Sequence, residues 1–164
     1  MTELERVKEL TPKFQLTVLL CANRIETVIT EMISVEVCKK PKDIYKRVEF
    51  FNYFEDNFRL QYKIDLLKII LKNNHPGIFK KFPNYFNQLN EVKKIRNSIA
   101  HSEVQYERDS NEKNAKLILH HPRIKKQMKL KEKQMLNIIK KAEKVSEDTR
   151  KIWILVSKSK GLRF

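Results

Sequence analysis

The segment 93–103, KKIRNSIAHSE, contains the residue types best suited to chemistry on a phosphate group. Arg96 is always charged and can bind two phosphate oxygens, and histidine, here His101, exchanges protons near neutral pH. Asn97 and His101 lie four positions apart and share one face of a helix. The long side chain of Arg96 can lean across to the same patch. The segment therefore predicts three polar side chains at one helix end, where the helix dipole stabilises a protonated imidazole.

The spacing between the arginine and the histidine is a weak signal by itself. The chain has nine arginines and four histidines, so a pair at this separation has a substantial chance of arising at random. On spacing alone, the favoured interpretation is that Arg96 and His101 are surface residues that serve solubility and the helix end.

Motifs for phosphate loops, nucleotide cofactors and metals are absent from the sequence. Gly77 and Gly161 are the two glycines, which excludes a Gly-rich phosphate loop and a dinucleotide fingerprint. There is no C-x-x-C pair and no H-E-x-x-H helix, so no metal site and no cofactor are predicted. His120 and His121 are adjacent and point to opposite sides of a predicted strand, which indicates structural or solvated roles. His75, in a predicted turn, receives the same interpretation.

Composition indicates a helical protein. The chain has 164 residues, 41% hydrophobic and 34% charged, which is typical of one globular domain spanning residues 1–164. Two glycines and five prolines are too few for the many turns of an all-β fold. Lys, Glu, Leu, Ile and Asn dominate and on balance favour helices.

Hydrophobic periodicity gives the order of the elements. Apolar residues at helical spacing predict helices over the following segments: 2–10, 13–38, one that begins near Asp43, 58–72, 83–100 and 131–157. Residues 104–107 and 116–120 alternate apolar and polar, which predicts a hairpin. The predicted fold is all-α, a bundle of four to five helices with a small β-hairpin before the last helix.

The charge balance predicts a polyanionic partner. The chain has 35 basic and 20 acidic residues, a net charge of +15, and nucleic acid is favoured over a basic protein that gains only solubility. Nine basic and two acidic residues between Arg123 and Lys144 predict a positive helix face, which either follows a phosphate backbone or is simply solvated. Lys93 and Lys94 lie closer to Arg96 and are the better candidates for steering a phosphate backbone.

The cysteines and the N-terminal segment predict the compartment. Cys21 and Cys38 fall in one predicted helix, roughly 25 Å apart, so they cannot pair within one chain. Reduced thiols favour a cytoplasmic protein. The first ten residues, MTELERVKEL, lack an apolar signal core, and no apolar run is long enough to predict a membrane span.

The segment IRNSIAHS, on the penultimate predicted helix of a small helical domain, resembles the signature of the HEPN superfamily. That signature is R-x(4 to 6)-H, usually with Asn, Asp or His directly after the arginine. Arg96, Asn97 and His101 match its three positions. The preceding apolar helix and the long closing helix also resemble the layout of the family.

The resemblance implies a metal-independent endoribonuclease, as found in toxin–antitoxin pairs, abortive-infection systems and CRISPR effectors. It implies a two-fold homodimer that brings His101 of both chains into one cleft, one as base and one as acid. In that chemistry His101 is the general acid or base, Arg96 binds the phosphate and Asn97 orients His101 or the phosphate. The predicted partners are RNA, a second copy of the chain, and an antitoxin or defence-system protein, with no membrane.

Two features leave the subtype and the activity open. Family members that pair with a nucleotidyltransferase antitoxin often carry a tyrosine two positions after the histidine, where this chain has Glu103. Some HEPN domains have lost catalysis, so a non-catalytic module that binds nucleic acid or a partner is the alternative. A helical adaptor that binds another protein is a third possibility.

Overall fold

A computed structural model describes residues 1–38, 44–108, 114–122 and 126–162. Its helices are α1 (Glu3–Val37), α2 (Ile44–Asn57), α3 (Leu60–Asn74), α4 (Pro76–Lys81), α5 (Tyr85–Ala100) and α6 (Glu132–Ser159). Its strands are β1 (Glu103–Arg108), β2 (Ala115–His121) and β3 (Lys126–Leu130). The predominance of helix is confirmed. The count of four to five helices is too low, because these ranges contain six. The start of the second helix at Asp43 lies outside the described residues.

Helix α1 is continuous where the sequence predicted a break at Pro12. Proline removes one backbone hydrogen bond and disfavours a helix interior by about 3 kcal/mol. Pro12 is exposed, however, while Val7, Thr11 and Phe14 around it are buried. Thr11 also donates its hydroxyl to the carbonyl of Val7 at 2.7 Å. A buried face that runs past the proline therefore stabilises one helix instead of two.

The helical break that the sequence predicts after residue 72 is present but short. The chain leaves helical geometry at His75 and re-enters it at Pro76 to form α4. A proline in the first helical turn has no backbone N–H to lose and a φ already suited to a helix. The same residues that stop α3 thus begin α4.

The predicted hairpin is confirmed and extended by a third strand. Strands β1 and β2 pair antiparallel, with Glu103 opposite His120. The sequence analysis missed β3, which pairs antiparallel with β2 and completes the sheet order β1-β2-β3. In KQMKL, Met128 and Leu130 alternate with polar residues, which is the two-residue period of a strand. Five residues were too few to stand out against the surrounding lysines.

The chain divides into two compact units, which are described separately. Unit 1 contains Met1–Ala22 and Asn90–Lys144, and unit 2 contains Asn23–Leu89 and Val145–Phe164. Helices α1, α5 and α6 each contribute residues to both units. The single domain over residues 1–164 stays a prediction.

Unit 1 carries the sheet and the C-terminal part of α5. Its buried apolar side chains come from α1, α5, β2, the end of β3 and the start of α6. They include Val7, Phe14, Val92, Ile99, Leu117, Leu119, Leu130, Met135 and Ala142. Lys141 of α6 forms an ion pair with Glu91 of α5. Lys129 of β3 binds Glu107 of β1 at 3.0 Å. These contacts hold α5 and the sheet in place within the unit.

Unit 2 contains charged and polar side chains that the apolar pattern did not reveal. Lys63 has a fully buried side chain, 0% exposed, and its Nζ lies 3.1 Å from Glu26. The hydroxyls of Tyr85 and Thr149 share a buried hydrogen bond of 2.9 Å. Each polar group is buried together with a partner, as the cost of burying it alone requires.

Glu36, near the end of α1, accepts contacts from three donors of unit 2. Its carboxylate accepts hydrogen bonds from Asn74 at 2.9 Å and His75 at 2.7 Å, and it pairs with Lys160 at 3.2 Å. The side chain is 2% exposed. Burial alone would raise the pKa of Glu36, but the hydrogen bonds from His75, Asn74 and Lys160 outweigh it and lower the pKa below its ordinary 4.5. The structural role predicted for His75 is confirmed.

Substitution Glu36→Gln is expected to lower the free energy of unfolding by about 2–4 kcal/mol at neutral pH, because three donors lose a charged acceptor. Since folding lowers the pKa of Glu36, its contribution is present above pH 4.5 and is lost as the pH falls through the folded value. Denaturant unfolding of both proteins should therefore show a gap that narrows below pH 4.5. Glu49→Gln, on the exposed surface of α2, removes the same charge and should leave the stability nearly unchanged. A gap that stays constant down to about pH 3 would contradict this assignment.

Candidate functional site

The candidate site lies where α5 ends and the chain turns into β1. The apolar side chains of α5, including Val92 and Ile99, are buried. That orientation leaves Asn97 and His101 exposed. His101 is the first residue after α5, and its backbone N–H donates to the carbonyl of Asn97 at 3.2 Å. The predicted common face for Asn97 and His101 therefore follows from the way α5 buries its apolar side.

A cavity of about 540 Å³, here called the His101 cavity, opens beside this helix end. One wall comes from α5 and the turn after it and consists of Lys94, Asn97, Ser98, His101 and Ser102. Every side chain in this wall is polar. It carries one cation, one imidazole, one carboxamide and two hydroxyls, which are groups that bind phosphate oxygens.

The opposite wall of the His101 cavity comes from the sheet. It consists of Leu119 and His121 of β2 and Gln127 and Met128 of β3. Leu119 and His121 are two positions apart and therefore point to the same side of the strand, whereas His120 points to the other side. The two adjacent histidines point to opposite sides of the strand, as predicted, and it is His121 that lines the cavity.

The rings of His101 and His121 lie close together in this cavity, with centroids 6.2 Å apart. His101 is exposed and His121 is half-buried. The Nδ1 atom of His121 is shielded from solvent and forms no hydrogen bond with any described residue. A shielded ring nitrogen without a partner is costly, at about 1–3 kcal/mol, so packing within the chain does not by itself account for the position of His121.

The five predicted site residues occupy different positions relative to the cavity. Lys94, Asn97 and His101 line it. Arg96 is not among the lining residues, but its Nη1 donates to the Asn97 side-chain oxygen at 3.2 Å. Asn97 therefore connects the guanidinium to the cavity wall. Lys93 is half-buried and does not line the cavity.

The basic segment from Arg123 to Lys144 does not form the single positive helix face that the sequence suggested. Residues 123–125 lie outside the described part of the chain, β3 occupies 126–130, and α6 begins at Glu132. Within it, Lys129 is paired with Glu107 and Lys141 with Glu91. The strand arises because apolar residues alternate through β3, and this alternation aligns Met128 with Leu119 and Leu130 with Leu117.

A second cavity, of about 460 Å³, lies in unit 2 beside α2. Its charged residues are Glu31 and Arg47, which pair at 3.3 Å. Burial raises the pKa of the Glu31 carboxyl, and the charge of Arg47 offsets part of that rise. The remaining lining residues are hydroxyl-bearing or apolar: Thr27, Ser34, Val48 and Phe51. This cavity has no histidine and offers less for proton transfer than the His101 cavity.

His121 is the residue that sequence reasoning missed. Two signals in the sequence could have indicated it. The predicted hairpin begins just after His101, and pairing its two strands in register brings the end of the second strand back beside the helix end. Strand alternation then selects one of the two adjacent histidines. The sequence analysis considered each histidine alone and therefore did not compare His121 with His101.

Each of the four histidines can be observed separately by NMR, which allows a direct test of the cavity. Titration with a 3′-mononucleotide is expected to shift the imidazole resonances of His101 and His121, because both rings face the same cavity. The resonances of His75, which binds Glu36, and of His120, on the other side of β2, should stay in place. Equal shifts at all four rings would indicate nonspecific binding and contradict a phosphate site here.

No helix among the described residues is long and apolar enough to cross a membrane. No three His, Cys, Asp or Glu side chains cluster there as metal ligands would. No protein-family model matches the chain. No curated protein and no solved structure matches it either. Membership of the HEPN superfamily stays a prediction that rests on the match of Arg96, Asn97 and His101 to its motif.

Proposed function

We propose that this protein is a metal-independent endoribonuclease of the HEPN type whose site includes Arg96, Asn97 and His101. The observation that supports it most is the His101 cavity, into which the end of α5 presents Lys94, Asn97 and His101 together. The three side chains offer a charge, a carboxamide and a proton-transfer group within one pocket. Cleavage of a phosphodiester uses proton transfer and positive charge on the phosphate, and a carboxamide can orient either group.

The chemistry of RNA explains what each of these groups would do. The 2′-hydroxyl next to the scissile phosphate is already the nucleophile, so the protein must remove its proton, protonate the departing 5′-oxygen and stabilise the charge on phosphorus. His101 exchanges a proton with one of the two oxygens. The products are a 2′,3′-cyclic phosphate and a 5′-hydroxyl.

Positive charge stabilises the phosphorane from two positions in this proposal. Lys94 lines the cavity and can contact a phosphate there directly. Arg96 binds Asn97 through one of the roughly five N–H groups of a guanidinium, so other donors can bind phosphate oxygens. Lys93 and the net charge of +15 contribute longer-range attraction for the RNA.

The homodimer and the biological setting are proposed from the family resemblance. Two copies related by a two-fold axis near the end of α5 would bring their cavities together. A toxin or phage-defence effector, held in check by an antitoxin or another defence-system protein, is the setting in which such ribonucleases act. We place it in the cytoplasm, where its RNA substrate is found.

The alternative is a non-catalytic module of the same type that binds nucleic acid or a protein partner. One observation favours it: Arg96 is engaged by Asn97 and does not itself line the cavity. In that case the cavity would bind a phosphate without cleaving it. Cleavage and binding must therefore be measured on the same samples.

Incubation of the purified protein with mixed RNA in EDTA is expected to produce fragments that end in 2′,3′-cyclic phosphate. His101→Ala should lower the cleavage rate by about 10²–10⁴-fold, because it removes a proton-transfer group. Arg96→Ala should lower it by about 10²–10³-fold, because it removes charge from the transition state. Gel electrophoresis with end-group analysis measures both rates.

The control variant is His75→Ala, which removes a histidine outside the cavity; its folding is checked by circular dichroism. It should cleave at the wild-type rate after correction for the folded fraction. RNA binding by fluorescence anisotropy separates the two candidate functions. Binding without cleavage by the wild-type protein would support the alternative and refute the ribonuclease.

A further inference from the structure

His121 shares the His101 cavity although it is twenty residues further along the chain, on another element. Its ring centroid lies 6.2 Å from that of His101. A hydrogen bond from a proton-transfer group spans about 2.6–3.2 Å. Rings at this separation are too close for a phosphate group to lie between them, but each can bond a different oxygen of one phosphate group that lies beside the pair.

His121 lies among side chains that line the cavity, and one of its ring nitrogens has no hydrogen-bond partner among the described residues. It stands at the end of β2, with Leu119 two residues before it and Met128 on the neighbouring strand, and all three line the cavity. Its Nδ1 is shielded and has no partner among the described residues. Nδ1 of His120 is also shielded without a described partner, but His120 does not line the cavity. What distinguishes His121 is a shared cavity with a second imidazole.

We propose that His121 is the second proton-transfer residue of the site, so that one chain supplies both the acid and the base. The inference rests on the proposed ribonuclease function and changes only the source of the second histidine. The family resemblance implies that this histidine is His101 of another copy. The cavity supplies one within the same chain.

The reaction then balances within one cavity. One imidazole accepts the proton of the 2′-hydroxyl as its oxygen forms a bond to phosphorus. The other imidazole donates its proton to the 5′-oxygen as the bond between phosphorus and that oxygen breaks. The protonation states of the two rings are exchanged, and proton exchange with water restores them. No further reactant is required.

Two other charged side chains among the described residues belong to this site. Lys94 of α5 is the other titratable side chain that lines the cavity, and Arg96 reaches its wall through Asn97. Among ordinary side chains, imidazole is the one whose usual pKa lies near neutral pH. Changes of rate near neutral pH therefore report on the two histidines.

The test compares His121→Ala with His120→Ala in the full-length protein. The two residues are adjacent on β2 and have the same chemistry, and they differ in which side of the strand they occupy. His121→Ala should lower the single-turnover cleavage rate in EDTA by about 10²–10⁴-fold, whereas His120→Ala should cleave like the wild type. The wild-type rate should fall on both the acid and the alkaline side of its optimum, and His121→Ala should lose one of these two limbs.

A second variant guards against a purely structural effect. His121→Gln keeps a polar side chain of similar size but cannot exchange a proton, so it should be as inactive as His121→Ala. An active Gln variant would overturn the proposal. So would a His121→Ala protein that keeps both limbs of its pH profile, or an equal loss in His120→Ala. Mixing His101→Ala chains with His121→Ala chains should restore no activity, and recovery would show that the two groups come from different chains.

Failure of this inference can be distinguished from failure of the proposed function. If the wild-type protein does not cleave RNA in EDTA, both fail. If the wild type cleaves, His101→Ala is inactive and His121→Ala is fully active, the ribonuclease stands and the inference fails. That result would instead support a pair of His101 side chains at a dimer interface.

Discussion

The pairing register of β1 and β2, with Glu103 opposite His120, is the constraint on which the rest of the site depends. Strand β1 begins two residues after His101, so this register returns the end of β2 to the end of α5. Side chains alternate along a strand, and a slip of one residue would exchange the faces of His120 and His121. The same slip would turn Leu119 away from the cavity. The composition of one wall is therefore fixed by backbone pairing between residues distant in sequence.

Apolar burial explains why this register is specified. Leu117 and Leu119 of β2 are buried, and β3 places Leu130 and Met128 opposite them. A slipped strand would break the contacts that these leucines make with β3. A two-stranded hairpin alone is marginally stable. Strand β3 carries no proposed catalytic group. By stabilising the sheet, it nevertheless helps to fix the position of His121 on β2.

A comparison of α5 with the sheet shows which features of the site can be predicted from the sequence. The bounds and buried face of α5, and the common face of Asn97 and His101, follow from hydrophobic periodicity, which is a local property. The continuity of α1 through Pro12 does not follow from this local property, because burial of neighbouring residues outweighs the local preference of proline. Strand β3 was too short to be distinguished from a basic segment, and His121 reaches the site only through pairing between strands. Local patterns thus predicted one wall of the cavity, and tertiary structure supplied the other.

Charge acts on two length scales in this protein. The net charge of +15 attracts a polyanion over distances of about a Debye length, roughly 8–10 Å in physiological salt, and this attraction weakens as salt is added. Part of the basic segment is neutralised locally, since Lys129 and Lys141 are paired with Glu107 and Glu91. In the proposed function, Lys94 and the two imidazoles would instead act at hydrogen-bond distance from a phosphate group in the His101 cavity. Encounter with RNA would therefore depend on the whole surface, whereas any chemical step would depend on a few side chains whose spacing is set by the end of α5 and the register of β2.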